Sequence, residues 1–206
     1  MKNQYSATHV DAVRTILDFI YEEVGRREVI IGEEPAGAPL KRGLRNYGYI
    51  EFAETYDVKF IDLNEDDTLW VKVYDHNLVK RIEVLISRTA LESDFRISVC
   101  RPKTHDTVIV TLTVKNIVMR AVQRLYKWRV HQGYGAINMS TAELAELLTP
   151  HLTIIDSLKG IEGNRPIAGT SVEWGIFIAG TNPIEVDALT TWLMGFKPRD
   201  VGTSTF

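Results

Sequence analysis

The stretch from Lys103 to Asn116 sets two ammonium groups, an imidazole and an amide inside an otherwise β-branched, apolar run. An ammonium group is a compact point charge for oxyanions, and imidazole is the side chain that exchanges a proton near neutral pH. The pattern therefore points to a small anionic molecule, carboxylate or phosphate. Lys103, Lys115 and Asn116 would bind its oxygens while His105 moves a proton. Lys115 carries the most weight, because an ammonium between "TLTV" and "IVM" falls where burial is expected and needs a carboxylate, a ligand or a depressed pKa. The plain alternatives are a solvated loop for "RPKTH" and a Lys115 that snorkels to the surface.

A second segment, "IIDSLKGIEGNRPIAGT", sets Asp156, Glu162 and Asn164 in what reads as a glycine-rich loop. Two carboxylates and an amide offer oxygen ligands to a hard divalent cation. The same carboxylates could instead be counter-charges for Lys103 and Lys115, and the loop could be a plain turn. It has neither P-loop nor dinucleotide-fingerprint spacing. "HQGYGAIN" contributes His131 as a further acid/base or substrate-binding candidate on an expected Gly-Tyr-Gly loop. His9, His76 and His151 stand alone, and no two histidines have zinc-ligand spacing.

Composition narrows the partners. With 206 residues, 45% hydrophobic and 25% charged, the chain reads as one soluble globular domain spanning 1–206. Its net charge of -3, without a block of like charge, argues against nucleic acid or an anionic membrane. The single cysteine, Cys100, excludes an internal disulfide and suits the cytoplasm. Neither a membrane span nor a signal peptide is legible.

The elements alternate. Thr8 and Asp11 form a capping-box-like start to a helix that Gly25 ends. "EVIIG" reads as a strand, followed by the loop "EEPAGAP". A helix over about Leu40 to Tyr56 is weakened by Gly43 and Gly48. "VKFIDLN", "LWVKVYD", "IEVLIS" and "FRISVC" follow as strands. From Thr107 the pattern is strand-like first, then helical over "NIVMRAVQRLYKWR". Ser140 with Glu143 opens a helix to Leu148, "LTIID" and "VEWGIFIAG" are strands, and Asn182-Pro183 starts a last helix that Gly195 ends. The expectation is an α/β fold, layered, with a central largely parallel or mixed sheet and helices on both faces. Working residues in such sheets gather beyond the carboxyl ends of strands, where "GEEPAG", "RPKTH" and "DSLKGIEGNRPIAG" stand.

Taken together, "ISRTALESDFRISVCRPKTHDTVIVTLTVKN", "HQGYGAINM", "IIDSLKGIEGNRPIAGT" and "NPIEVDALTTWLMGF" resemble the family catalogued as domain of unknown function 362. The likeness runs from about Thr8 to Gly202. It implies an α/β domain with no settled reaction and a link to redox or metal chemistry, since members are often labelled iron–sulfur-centre proteins. The family's recurrent polar positions fall on Lys103, His105, Lys115, Asn116, Asp156, Glu162 and Asn164. The chain departs from the family in lacking an opening strand with a Lys-Pro-Asn-like turn, of which Lys2-Asn3 would be a remnant. Arg165 stands where glycine is commoner, and the chain stops soon after "GFKPRDVG". A missing strand would bare a sheet edge, so the resemblance implies a homodimer or a shortened, inactive form.

One cysteine cannot supply the four ligands of an iron–sulfur cluster, even across a dimer. Any cluster would therefore come from a redox protein partner or be unusually ligated, and the cofactor expected of this chain itself is an unidentified one, with a divalent metal ion as the candidate. Two functional classes follow: an enzyme acting on a small anionic molecule, or a non-catalytic binding or scaffold module serving a redox protein. The enzyme is preferred, because a structural role rarely needs so many convergent polar groups.

Overall fold

The computed structural model describes residues 7–35, 37–162 and 170–202. Helix α1 (Val10–Phe19) opens one residue later than its sequence signal. His9 Nδ1 accepts from the backbone N–H of Asp11 at 3.3 Å, whereas the Thr8 hydroxyl donates to the carbonyl of Val99 at 3.2 Å. Gly25 ends the following π-helical turn with φ of 88°, a conformation that glycine adopts without steric cost. Strand β1 (Val29–Glu33) is followed by α2 (Leu40–Tyr47), which stops at Gly48 with φ of 80°. A short α3 (Phe52–Thr55) then leads into β2 (Val58–Asp62), parallel to β1. The expected helix to Tyr56 is thus two helices hinged at glycine.

Strands β3 (Thr68–Tyr74) and β4 (Arg81–Ser87) form an antiparallel hairpin, and α4 (Arg88–Glu92) leads to β5 (Ile97–Cys100). Two short strands follow, β6 (Lys103–His105) and β7 (Ile109–Thr111), and then α5 (Thr113–Ala121). The run expected to be helical beyond Asn116 is interrupted, because Val122 is extended and bridges Ile86. Helix α6 (Lys127–Val130) precedes α7 (Tyr134–Leu148). The latter begins in the Gly-Tyr-Gly segment expected to be a loop and not at Ser140. Ser140 lies mid-helix, where its hydroxyl accepts from the N–H of Tyr74 at 3.2 Å. Strands β8 (Leu152–Glu162) and β9 (Thr170–Gly180) make a long hairpin, and α8 (Pro183–Leu193) follows, capped by Asn182 Oδ1 on the N–H of Ile184 at 3.1 Å.

The strands divide among the parallel β1–β2 pair, the β3–β4 hairpin and a mixed five-stranded sheet. In the last, β8 carries β9 antiparallel on one edge. Its other edge carries β5 in parallel from Leu152 to Ile155, then β6 at Lys103↔Ile161. Proline cannot donate to a ladder, so the chain breaks at Arg101-Pro102 and resumes along the same edge of β8. That break turns the segment after Cys100 into the wall of the site.

Three apolar clusters hold the layers. Val73, Val84 and Ile86 of the hairpin pack with Val118, Ile137, Leu144 and Leu148 of α5 and α7. Cys100, Leu112, Ile155 and Ile178 pack with Val186 of α8. Leu17, Phe52 and Val58 join α1 to the β1–β2 pair. Among the described residues no helix is long and apolar enough to cross a membrane.

Candidate functional site

Helix α5 begins at a residue with no side-chain cap of its own, since Leu112 occupies the N-cap position. The cap comes from α8. Asp187, 1% exposed, accepts with Oδ1 from the N–H and hydroxyl of Thr113 at 3.0 and 2.5 Å, and with Oδ2 from the N–H of Val114 at 3.0 Å. A carboxylate here meets donors that the first turn leaves unpaired, and the positive end of the helix dipole. Burial nonetheless pushes the Asp187 carboxyl up to about 6, against the three hydrogen bonds that lower it. The next residue on the capped turn is Lys115, only 3% exposed.

Lys103 and His105 are separated by two on β6 and so share one face of the strand, with Thr104 on the other. Burial holds the Lys103 ammonium below its usual pKa, and the Arg120 charge adds to the effect. His105 Nδ1 lies 3.1 Å from the N–H of Thr107 and 2.9 Å from Asp106 Oδ1. These two contacts alternate with protonation: an unprotonated Nδ1 accepts from Thr107, a protonated one donates to Asp106. Across from it, the His131 ring is nearly parallel to the His105 ring at 28°, with centroids 6.5 Å apart. His131 is exposed as a residue, yet the protein atoms around its ring take part of its hydration and hold its pKa below the ordinary value; Lys115 and Lys127 act in the same direction, against the Lys127 carbonyl, which accepts at 2.9 Å from Nδ1. Ile109, opposite His105 in register, has φ of 69°. A β-branched residue there costs on the order of 1–3 kcal/mol, so the tip carrying His105 is strained.

A charged network lies at the carboxyl ends of β1 and β5. Arg101 Nε donates to Asp156 Oδ2 at 3.1 Å, with both side chains almost wholly buried, and the same oxygen accepts from the N–H of His9 at 2.8 Å. Arg120 Nη1 reaches Glu33 Oε1 at 2.9 Å and donates to the carbonyl of Glu34 at 2.8 Å. The Glu34 carboxylate, 1% exposed, pairs with Lys127 and accepts from Asn64 Nδ2 at 3.3 Å. Glu33 and Arg101 both act on Lys103, so this network joins the cluster described above.

His105 of β6, His131 at the end of α6 and Lys115 of α5 are thus brought together, while Lys103, two residues before His105 on β6, lies within reach of Arg120, Arg101 and Glu33. Asn116 is turned about 100° around α5 from Lys115. Asp156 lies in strand β8 and not in a loop, and serves Arg101 as counter-charge. The Glu162 side chain and Asn164 fall outside the described residues. Among the described residues no three His, Cys, Asp or Glu side chains converge as metal ligands. Sequence reasoning missed Arg101, Arg120, Lys127 and Asp187. "GEEPAG" is one signal, since its Glu33 and Glu34 locate Arg120 and Lys127. An aspartate within an otherwise apolar helix pattern, as at Asp187, was a second signal that went unread.

Fold and site together define an α/β domain whose imidazoles and ammonium groups are carried by strand β6, helix α5 and the end of helix α6. The chain belongs to the family described as Domain of unknown function (DUF362), which matches residues 1–192. It is 22% identical over 199 residues to the thylakoid-associated protein sll1697 of Synechocystis sp., covering 95% of this chain and 60% of that protein's length. Its backbone resembles that of the lactate racemase apoprotein from Thermoanaerobacterium thermosaccharolyticum, with a TM-score of 0.57 and 12% identity over 85% of this chain and 43% of that one. At that identity the likeness concerns the fold.

Proposed function

We propose that the protein is an enzyme that moves a proton on a small carboxylate or phosphate. The observation that carries this reading is the His105–His131 pair, 6.5 Å apart, with Lys115 acting on His131 and Lys103 on the same face of β6 as His105. Two imidazoles on separate elements can act as acid and base on one substrate, and ammonium groups compensate its charge. The lowered pKa of Lys103 moves it toward the range in which a proton is exchanged, and the lowered pKa of His131 keeps its imidazole neutral and able to accept a proton. The name of the lactate racemase structural neighbour points to a small hydroxy acid, which agrees in chemical class with a cationic site. Asp156 is read as the counter-charge of Arg101, which supplies beside that carboxylate the positive charge a metal ion would bring.

The scaffold reading draws on a different observation: Arg101, Arg120 and Lys127 are each matched by a carboxylate, as in a closed structural network. Titration calorimetry with inorganic phosphate and with lactate, joined to proton NMR of carbon-bound hydrogen exchange in D2O, separates the two. The enzyme reading expects binding that weakens at least about tenfold in Lys103→Met and Lys115→Met. It also expects exchange that falls about 100-fold or more in His105→Gln and His131→Gln. No binding of either anion at millimolar concentration, or binding indifferent to both lysines, would sink it. Elemental analysis of wild type beside Asp156→Asn with Glu162→Ala settles the metal: stoichiometric metal lost in the double variant would restore the cation site.

A further inference from the structure

Helix α8 is inside-out. Its buried face carries Asp187, Thr190 and Thr191 beside Val186, while Leu189, Trp192 and Leu193 are 48%, 64% and 40% exposed. The spacing i, i+3, i+4 puts those three on one stripe. The helix cannot rotate to bury them. Asp187 is tied to α5 by three hydrogen bonds, and Gly180 of β9 lies so close to Val186 that a Cβ there would come within 2.8 Å of it. Phe196 just beyond the helix is 36% exposed, and Ile176 and Phe177 of the neighbouring β9 are 37% and 51% exposed. Along its outer edge β9 has no strand partner among the described residues. A stripe of this kind, fixed outward by a polar inner face, marks an interaction surface.

We propose that this surface pairs with a second copy of the same chain, α8 packing antiparallel on α8 across a two-fold axis. Two features point to a copy of itself. The first is charge. Exposed Glu185 lies at the start of the stripe and exposed Lys197 and Arg199 lie just past its end. Antiparallel packing centred between Leu189 and Trp192 therefore sets Glu185 of each copy beside Lys197 of the other, twice over. The second is area. The exposed parts of Leu189, Trp192, Leu193 and Phe196 amount to roughly 400 Å² per copy, taking about 150–250 Å² for each whole aromatic side chain. A stable interface buries about 800 Å² per partner, of which somewhat over half is apolar. The stripe supplies most of that apolar share and the charged ends begin the polar rim. This inference is independent of the reaction proposed above.

The test is the mass in solution by light scattering coupled to size exclusion, loaded at about 50 µM, where a Kd near 1 µM leaves the dimer dominant. Wild type is expected at twice the chain mass. Trp192→Glu and Leu193→Glu, both at exposed positions, are expected to raise the dissociation constant at least about thirtyfold and give monomer with unchanged circular dichroism. Glu185→Lys should weaken the dimer and Lys197→Glu added to it should restore it. A monomeric wild type overturns the proposal, as it would if a further segment of a longer chain or another protein covers the stripe. A dimer indifferent to Trp192→Glu and Leu193→Glu overturns it equally.

Discussion

Replacing Asp187 with asparagine probes how the site helix is held. In the native chain Oδ1 serves the N–H and hydroxyl of Thr113 and Oδ2 serves the N–H of Val114. Asparagine keeps one acceptor oxygen and points an amide at the other donor, so one buried hydrogen bond is lost and about 1–3 kcal/mol of stability with it. The pH dependence is more telling. The carboxyl titrates at about 6 in the folded protein against 3.8 when exposed. Between these values the folded state holds a proton that the unfolded state has released, so stability from this group is full below 3.8 and is lost as pH rises through 6. The whole span is about 3 kcal/mol, two pKa units and a little more at 1.36 kcal/mol each. Between pH 5 and pH 7 it comes to about 1 kcal/mol. The asparagine variant lacks this term. Urea unfolding of both proteins, followed by tryptophan fluorescence at pH 5, 6 and 7, reads the difference directly. Wild type should lose about 1 kcal/mol relative to the variant over that range. A gap that stays constant, or that moves in favour of wild type as pH rises, refutes the reasoning. It would mean that three donors at a helix N-terminus outweigh the burial of the charge.

Further outcomes follow from the same network. Arg101→Met should cost about 3–5 kcal/mol in unfolding free energy, since it leaves the buried Asp156 carboxylate without its guanidinium, and adding Asp156→Leu should recover much of that loss. Glu34→Gln removes the anion facing Lys127 and should cost on the order of 2 kcal/mol in thermal unfolding, with the Lys127 pKa falling further because burial already lowers it. His131→Gln should leave stability within about 0.5 kcal/mol of wild type, because the residue is exposed, while abolishing any proton exchange on substrate.

Much of the fold was legible because local signals and packing agree. Gly25 and Gly195 each follow a helix end with positive φ where the pattern breaks, and Asn182 caps α8 as its sequence promises, whereas Gly48, expected only to weaken a helix, ends one. The errors share a cause: a nonlocal partner overrides the local sign. Thr8 looks like the cap of α1, yet its hydroxyl is claimed by Val99, ninety-one residues away, and His9 takes its place. Ser140 looks like a helix start, but its hydroxyl serves Tyr74 of the β3–β4 hairpin, so the helix can run back to Tyr134. Asp156 looks like a loop ligand, whereas β8 continues through it because β9 supplies a ladder from Gly180 to Thr170.

The site obeys the same logic. Lys115 could be singled out because an ammonium amid apolar residues is anomalous in sequence alone, and its burial bears that out. Arg101, Arg120 and Lys127 could not, because arginine and lysine are ordinary at a strand end or on a helix. They become part of the site only once Glu33, Glu34 and Asp156 are seen to neutralise them. That division has a functional consequence. The arginines and Lys127 spend their charge on carboxylates within the fold and so fix the geometry of α5, α6 and β6. The imidazole pair, by contrast, presents His131 to solvent, with the charge of the buried Lys115 acting on it. A substrate anion would enter from the His131 side and meet the histidines before the buried ion pairs, so substitutions at the histidines should change chemistry and substitutions at Arg101 or Glu34 should change stability first.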